Sequence, residues 1–135
     1  IQNMIIKFRK KKIIKYYRNQ NNVKKFLLKS DCIILPSYYR EGLPRILQEA
    51  NYFGRICITS NNVGCKDVII NGFNGFLCKK KSVNDLTRNI KKVIKINKSK
   101  LSIMEKNVDL FIKNNFDKDK INYKFLTIIN NVVKI

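Results

Sequence analysis

The 135-residue sequence contains no histidine and no tryptophan, and glycine, proline and alanine are scarce. Without histidine, an internal Ser-His-Asp triad and a His-containing zinc site are excluded. The four cysteines are too far apart in sequence for a CxxC redox pair, and we expect reduced, mostly buried thiols at Cys32, Cys57, Cys65 and Cys78. No apolar run approaches the ~20 residues of a membrane-spanning helix, and no export signal is recognisable, so we expect a cytoplasmic protein.

Acidic residues are also few, because 29 lysines and arginines face only 9 aspartates and glutamates, which gives a net charge of +20. Such an excess favours contact with nucleic acid or an anionic membrane surface. However, 23 of the 29 basic residues are lysines, and they are spread along the whole chain. Proteins that recognise specific bases instead concentrate arginines, with aromatic residues between them, in the binding surface. We therefore expect no specific nucleic-acid partner, and peripheral contact with an anionic membrane stays open.

One segment differs in composition from the rest. All five glycines, both prolines and the single alanine lie between residues 36 and 75. Glycine and proline set sharp turns, and glycine lets a backbone approach a ligand closely. This segment is where we expect a binding site, although a domain that has its tight turns there would show the same pattern.

The apolar pattern predicts an α/β domain followed by helices. The predicted strands are Ile13–Tyr17, Cys32–Leu35 and Ile56–Thr59. Two helices are predicted over Val23–Lys29 and Pro44–Phe53. Three more are predicted to begin after Ser82, after Ser99 and after Asp117 or Asp119. The strand Cys32–Leu35 is apolar without alternation, which is typical of a parallel sheet covered by helices on both faces. The apolar stripes of the last three helices are expected to pack on the sheet or on one another, with a partner-binding groove as the alternative.

These elements predict a single domain over residues 1–135. Its core is expected over residues 13–97 and a helical tail over residues 98–135, and the chain is expected to be truncated at its amino end. The predicted fold class is a Rossmann-like parallel sheet flanked by helices, with that tail at the carboxyl end.

The candidate site lies where the strand ending at Leu35 passes through a loop into the next helix. Ligands of open α/β sheets bind at such carboxyl ends. Pro44 suits the first helical turn, and the free N–H groups of Gly42 and Leu43 are expected to point at an anion. The helix dipole adds ~0.3 to 1 kcal/mol of attraction for a phosphate.

Two carboxylates bracket this anion site, Glu41 before the helix and Glu49 inside it. Glu49 lies about 7 to 8 Å along the helix from Pro44, at ~1.5 Å per residue. It borders an apolar stripe, so we expect it to be half-buried and to need hydroxyl or N–H donors, which a ribose diol supplies. The residues favour a nucleotide-sugar site, while helix capping and surface carboxylates remain the alternative.

The stretch from about Val23 to Val93 resembles the carboxyl-terminal, donor-binding domain of GT-B glycosyltransferases, in particular glycosyltransferase family 4. That family has a buried strand ending in Leu-Pro-Ser, then Glu-Gly-x-Pro, then a second Glu eight positions after the first. This order is matched here by Asp31–Ser37, Glu41-Gly42-Leu43-Pro44, Glu49-Ala50, Gly54-Arg55, the Thr59–Gly64 loop and the turn Asn71–Leu77. Asn51 and Ile56 depart from the family, which commonly has Met and Pro at those positions.

The resemblance implies a retaining transferase that moves a hexose from a nucleotide diphosphate sugar, often UDP-linked, to a saccharide or lipid-linked acceptor. It implies that Glu41 contacts the donor sugar and steadies its charged transition state. Gly42, Leu43 and Pro44 would form the diphosphate end of the donor site, and Glu49 would bind the ribose hydroxyls. Members of this fold usually need no metal ion, so no cofactor is expected.

The resemblance does not extend to the amino-terminal, acceptor-binding domain, nor to the Arg/Lys pair that the family usually places against the diphosphate. We expect the acceptor-binding domain either in the same polypeptide or in a separate chain. We also expect no catalytic turnover by this chain alone. The basic run from Lys7 to Lys12 is either a substitute for that pair or a solvated linker. Two other hypotheses stay open: a decayed, noncatalytic module, and a basic protein that binds RNA or an anionic membrane surface.

Overall fold

The computed structural model describes residues 2–40 and 42–133. Seven helices and three strands follow one another within these ranges. They are α1 (Gln2–Lys10), α2 (Lys24–Lys29), β1 (Cys32–Leu35), α3 (Arg45–Tyr52), β2 (Ile56–Ser60), α4 (Cys65–Val68), β3 (Gly75–Cys78), α5 (Val83–Ile94), α6 (Lys98–Asn115) and α7 (Lys118–Val133).

The three strands form one parallel sheet in the order β1-β2-β3. Ile33 pairs with Cys57 in the first ladder, and Ile58 pairs with Phe76 in the second. Helix α3 connects β1 to β2, so these elements form the expected β-α-β unit. The predicted fold class, a Rossmann-like parallel sheet flanked by helices, is confirmed.

Apolar side chains cover the sheet on both faces. On one face, β1 and β2 pack against α2, α3 and α4, in a cluster of Leu27, Leu47, Ala50, Cys57, Cys65, Val68 and Ile69. On the other face, Ile56, Ile58, Phe76 and Met104 form a second cluster with apolar residues of α5 and α6. Every residue of β2 is buried, which explains the apolar run Ile56–Ile58 with which the strand begins.

Strand β1 is less completely covered than its sequence predicts. It stands at an edge of the sheet, and Ile34 is 43% exposed. The continuous apolar run correctly identifies the strand but does not distinguish a central position from an edge, because both positions accept the same residues.

Strand β3 is absent from the sequence prediction, which treats Asn71–Leu77 only as a turn. The turn is present: the Gly72 N–H donates to the Gly75 carbonyl at 2.7 Å, and Gly72 has φ of +81°. The strand begins at Gly75, whose missing Cβ would lie 2.4 Å from the Cys57 carbonyl oxygen. A four-residue strand that starts with glycine carries too weak a periodic pattern to be recognised.

The predicted strand Ile13–Tyr17 is wrong. These residues form an irregular, exposed connection between α1 and α2. A strand needs a neighbour with which to exchange backbone hydrogen bonds, and β1 pairs only with β2 among the described residues. The basic run before it is partly helical, because Lys7 and Lys10 belong to α1.

The three later helices form as predicted, with differences in packing. Ser82 caps α5 by accepting from the Asp85 N–H at 3.2 Å, and Asn97 rather than Ser99 caps α6. The expectation that the apolar stripe of α7 packs on the sheet or on other helices is wrong, since four of its members are exposed: Ile121, Phe125, Ile128 and Ile129. The side chain of the fifth, Val132, lies outside the described residues. None of the described helices combines the length and the apolar character needed to cross a membrane.

Candidate functional site

The carboxyl ends of the three strands meet at one edge of the sheet, where three loops follow them. The loop after β1 leads to α3, the loop after β2 leads to α4, and the loop after β3 leads to α5. The loops are joined to one another by side chains. The Asn62 side-chain amide donates to the Tyr39 carbonyl oxygen, and the Lys81 ammonium lies 4.1 Å from the centroid of the Tyr38 ring.

The loop after β1 is also fixed to the sheet itself. The Thr59 hydroxyl donates to the Leu35 carbonyl oxygen at 2.7 Å. The Ser37 hydroxyl donates to the Tyr39 carbonyl oxygen at 3.4 Å within the loop. The path of the chain into α3 is therefore determined by residues of β2 and of two neighbouring loops.

The amino end of α3 has the open geometry that an anion site needs. Pro44 is the N-cap residue, with φ of −64° and ψ of 114°, one position earlier than the first-turn place expected for it. Proline has no side-chain oxygen to accept from the N–H groups of the first turn. Gly42 and Leu43 are exposed, and apart from the residues next to it in the chain, no described residue has an atom within 4 Å of the place where a Cβ on Gly42 would stand. A ligand can therefore approach the backbone here.

Glu49 is half-buried, as predicted, with 36% of its side chain exposed. Its Oε1 accepts from Arg45 Nε at 2.8 Å, one helical turn earlier. Exposed pairs at this spacing contribute only about 0.3 to 0.5 kcal/mol, so the pair holds Glu49 weakly. Because a carboxylate accepts several hydrogen bonds at once, ligand hydroxyls can bind Glu49 beside Arg45.

Glu49 and Arg45 line a groove of about 1010 Å³ along the outer side of α3. The groove is also lined by residues of the segment before α2, including Asn21 and Asn22, and by the aromatic residues Phe53 and Phe116. Amide groups and apolar rings in one concave surface suit a ligand with both a planar ring and hydroxyl groups. No residue of the basic run 7–12 lines this groove.

The structure thus brings four of the five predicted site residues to one end and one side of α3: Gly42, Leu43, Pro44 and Glu49. The fifth, Glu41, lies outside the described residues. The sequence analysis missed Arg45 as the partner of Glu49, although its i,i+4 spacing on a predicted helix was a usable signal. It also missed Lys81 and Asn62, for which the sequence offers no local signal because their partners are distant in the chain.

None of the four cysteines is among the residues that line this groove, and three of them are made unreactive by their environment. All four are free thiols, and three of them are buried. Burial raises the pKa of the Cys32 thiol to about 11, and the nearby Asp31 carboxylate adds to the shift. Burial also raises the pKa values of Cys57 and Cys78. Thiols with such pKa values are protonated near neutral pH and are poor nucleophiles and metal ligands.

Within residues 2–40 and 42–133, no cluster of three acidic or cysteine side chains could hold a metal ion.

Comparison with known proteins gives a family match over residues 1–109, and the family is described as glycosyl transferases group 1. Two relatives are similar in sequence. One is the N,N'-diacetylbacillosaminyl-diphospho-undecaprenol alpha-1,3-N-acetylgalactosaminyltransferase of Campylobacter jejuni, 26% identical over 90% of this chain and 31% of its own length. The other is the UDP-Gal:alpha-D-GlcNAc-diphosphoundecaprenol alpha-1,3-galactosyltransferase of Escherichia coli, 35% identical over 73% of this chain and 24% of its own length.

The fold also matches solved structures. The crystal structure of Anabaena HepE in complex with UDP superposes with a TM-score of 0.84 at 17% identity. The match covers 96% of this chain and 36% of HepE. The chain therefore spans about a quarter to a third of the length of the relatives in the sequence comparison, and a similar part of this structural neighbour.

Proposed function

The chain belongs to the group 1 family of glycosyl transferases, and we propose that it is the donor-binding part of a retaining enzyme. This enzyme transfers a hexose from a nucleotide diphosphate sugar, UDP-linked by preference, to a saccharide or lipid-linked acceptor. The observation that carries the proposal is the open amino end of α3 followed, on the same helix, by the half-buried Glu49 in a groove.

The diphosphate is assigned to the amino end of α3. Its charge is attracted by the helix dipole, and the exposed backbone of Gly42 and Leu43 can donate to its oxygens. The loop after β3 brings Lys79, Lys80 and Lys81 to the same edge of the sheet, where they add positive charge. Positive charge that is already in place when the diphosphate leaves stabilises the transition state without a metal ion.

The nucleoside is assigned to the groove beside α3. Glu49 accepts hydrogen bonds from the ribose hydroxyls there, and bonds to an ionised carboxylate are stronger than neutral ones. By the family resemblance, Glu41 contacts the donor sugar and stabilises its developing positive charge. The names of the two relatives support this choice of substrates, because one includes UDP-Gal and both include a diphospho-undecaprenol-linked saccharide.

The rest of the enzyme supplies the acceptor site, either in the same polypeptide or in a separate chain. We propose that this chain binds the donor without turning it over. A lipid-linked acceptor places the reaction beside a membrane, so peripheral contact with an anionic membrane face belongs to the same proposal.

The test is a calorimetric titration of UDP and UDP-hexoses into the purified chain at moderate salt. We expect saturable binding that weakens by at least about tenfold in Glu49→Ala, because a charge-assisted hydrogen bond is worth ~1.5 to 3 kcal/mol. Glu105→Ala is the matched control, since it also removes one carboxylate, from the exposed face of α6, and should bind UDP normally.

Two outcomes would overturn the proposal. One is the absence of UDP binding by a chain whose circular dichroism shows that it is folded. The other is equal loss of UDP affinity in Glu49→Ala and Glu105→Ala, which would mean that the loss is not specific to the groove carboxylate. Tight, salt-sensitive binding of single-stranded RNA in place of UDP would favour a basic surface-binding protein instead.

A further inference from the structure

The outer face of α5 carries a cluster of cations that the proposed donor site does not use. Leu86 and Ile90 of α5 pack into the second core cluster, and Asn89 is buried. On the opposite side, a shallow depression of about 500 Å³ is lined by Asn84, Thr87, Arg88, Lys91, Lys92 and Lys95. At 3.6 residues per turn, these six residues fall on the side of the helix opposite its buried stripe.

The net charge of this face comes from three lysines. The Arg88 guanidinium donates to the Asp85 carboxylate, which is largely buried, so Arg88 is partly neutralised. Lys91, Lys92 and Lys95 are exposed and have no carboxylate among the residues that line the depression. Three like charges within about 6 Å of helix length repel one another, which favours an anionic partner.

Two exposed apolar residues flank this face at the two ends of the helix. Val83 is 74% exposed and Ile94 is 76% exposed. They are eleven residues apart, which is three turns and about 16 Å, so they lie along the same edge of the helix. A helix that presents cations together with protruding apolar residues fits the interface of a bilayer, where headgroups meet acyl chains.

We propose that the outer face of α5 is a membrane-contact surface for anionic lipid headgroups, with Lys91, Lys92 and Lys95 on the phosphates and with Val83 and Ile94 inserted between headgroups. The composition of the face favours lipid over RNA. The residues that line the depression include no aromatic side chain on which a base could stack, and the Phe76 ring, whose centroid lies 5.9 Å from the Lys92 ammonium, is buried. The cations that have no carboxylate among those lining residues are lysines rather than arginines.

The position of α5 relates this surface to the donor site. Helix α5 begins at the carboxyl edge of the sheet, directly after the loop that holds Lys79–Lys81. Contact through this helix keeps that edge close to the membrane. The lipid contact itself is argued from α5 alone. The idea that this contact helps the enzyme reach a lipid-linked acceptor rests on the proposed function.

The experiment is vesicle co-sedimentation of the purified chain with phosphatidylcholine alone and with phosphatidylcholine mixed with phosphatidylglycerol. We expect binding only to the anionic vesicles. Each cation at a membrane surface contributes about 1 kcal/mol, or about fivefold, so Lys91→Gln, Lys92→Gln and Lys95→Gln together should weaken binding about a hundredfold. The matched control replaces Lys100, Lys106 and Lys124, three exposed lysines scattered over α6 and α7, and should lose much less affinity.

A second pair of variants tests insertion. Val83→Ser with Ile94→Ser should lose on the order of tenfold in affinity for anionic vesicles, because two exposed side chains no longer enter the interface. Ile103→Ser with Leu110→Ser removes two exposed apolar residues from α6 and should bind like the unchanged chain.

The proposed membrane-contact surface is wrong if the unchanged chain does not bind anionic vesicles. It is also wrong if the variant of Lys100, Lys106 and Lys124 loses as much affinity as the variant of the three α5 lysines. It is also wrong if single-stranded RNA displaces the chain from vesicles and binds with the same dependence on the α5 lysines. UDP titrations of the α5 variant separate this inference from the proposed function. If the α5 variant binds UDP normally but no longer binds vesicles, both the donor site and the membrane-contact surface are supported. If the unchanged chain binds vesicles but not UDP, only the membrane-contact surface is supported.

Discussion

The Lys81 ammonium lies 4.1 Å from the centroid of the Tyr38 ring, and this contact joins the loop after β3 to the loop after β1. Lys81 has φ of +57°, a left-handed conformation that is costly for a residue with a side chain. The contact holds the chain that leads into α3, and with it the amino end of the candidate donor site. Two residues 43 positions apart therefore cooperate in shaping one edge of the sheet.

A double-mutant cycle measures this contact. Lys81→Ala and Tyr38→Leu should each lower the free energy of unfolding, and their coupling energy should be about 0.5 to 1 kcal/mol, the usual value for an exposed cation–π pair. Urea unfolding of the four proteins gives the coupling. Lys80→Ala, at the neighbouring exposed lysine, serves as the control with Tyr38→Leu, and a coupling as large as that of Lys81 would show that the effect is not specific.

Gly75→Ala should be strongly destabilising. The added Cβ would lie 2.4 Å from the Cys57 carbonyl oxygen and 2.9 Å from Ile69 Cγ2, so β3 would have to move away from β2. Overpacking of this kind costs at least about 1 to 3 kcal/mol. Gly42→Ala is the matched control, because apart from its chain neighbours no described residue has an atom within 4 Å of its new Cβ. Equal melting temperatures for the two variants would contradict this account of the β2–β3 ladder.

Asn51→Met should stabilise the protein. Asn51 is 1% exposed, and its Oδ1 has no hydrogen-bond partner in the described part of the chain, while its Nδ2 donates to the Val68 carbonyl oxygen at a long 3.4 Å. Asn74 donates to the same oxygen at 2.9 Å, so that acceptor keeps a partner. Removing an unsatisfied buried oxygen is expected to raise the free energy of unfolding by about 1 kcal/mol. A lower midpoint in urea would show that the amide contributes more than these contacts indicate.

Stability should fall in alkaline solution because of the buried thiols. Cys32 has a folded-state pKa of about 11 against an ordinary thiol pKa of 9.0, so the unfolded chain loses this proton first as the pH rises. The stabilisation is complete below about pH 9 and is lost between about pH 9 and pH 11. Cys32→Ala should flatten this part of the curve of unfolding free energy against pH. A curve that is the same with and without Cys32 would contradict the assigned pKa shift.

Local patterns in the sequence predict a large part of the candidate site. Gly42, Leu43, Pro44 and Glu49 lie on or directly before one helix, so helical periodicity alone relates their positions. The capping role of Ser82 and the turn at Gly72 also depend only on neighbouring residues. These predictions hold because the responsible interactions are formed within a few residues along the chain.

Other features were decided by tertiary structure. Ile13–Tyr17 has residues suited to a strand but lacks a strand to pair with, while Gly75–Cys78 has a weak pattern and becomes a strand because β2 lies beside it. The stripe on α7 has helical spacing whether or not another surface covers it. The contacts of Lys81 with Tyr38 and of Asn62 with Tyr39 arise because the sheet brings its carboxyl ends together. The sequence thus determined five of the seven described helices, the strands β1 and β2 and the residues at the start of α3, whereas α1, α4 and β3 were not predicted from it. Tertiary structure alone decided pairing and burial, because both depend on distant residues that no local pattern specifies.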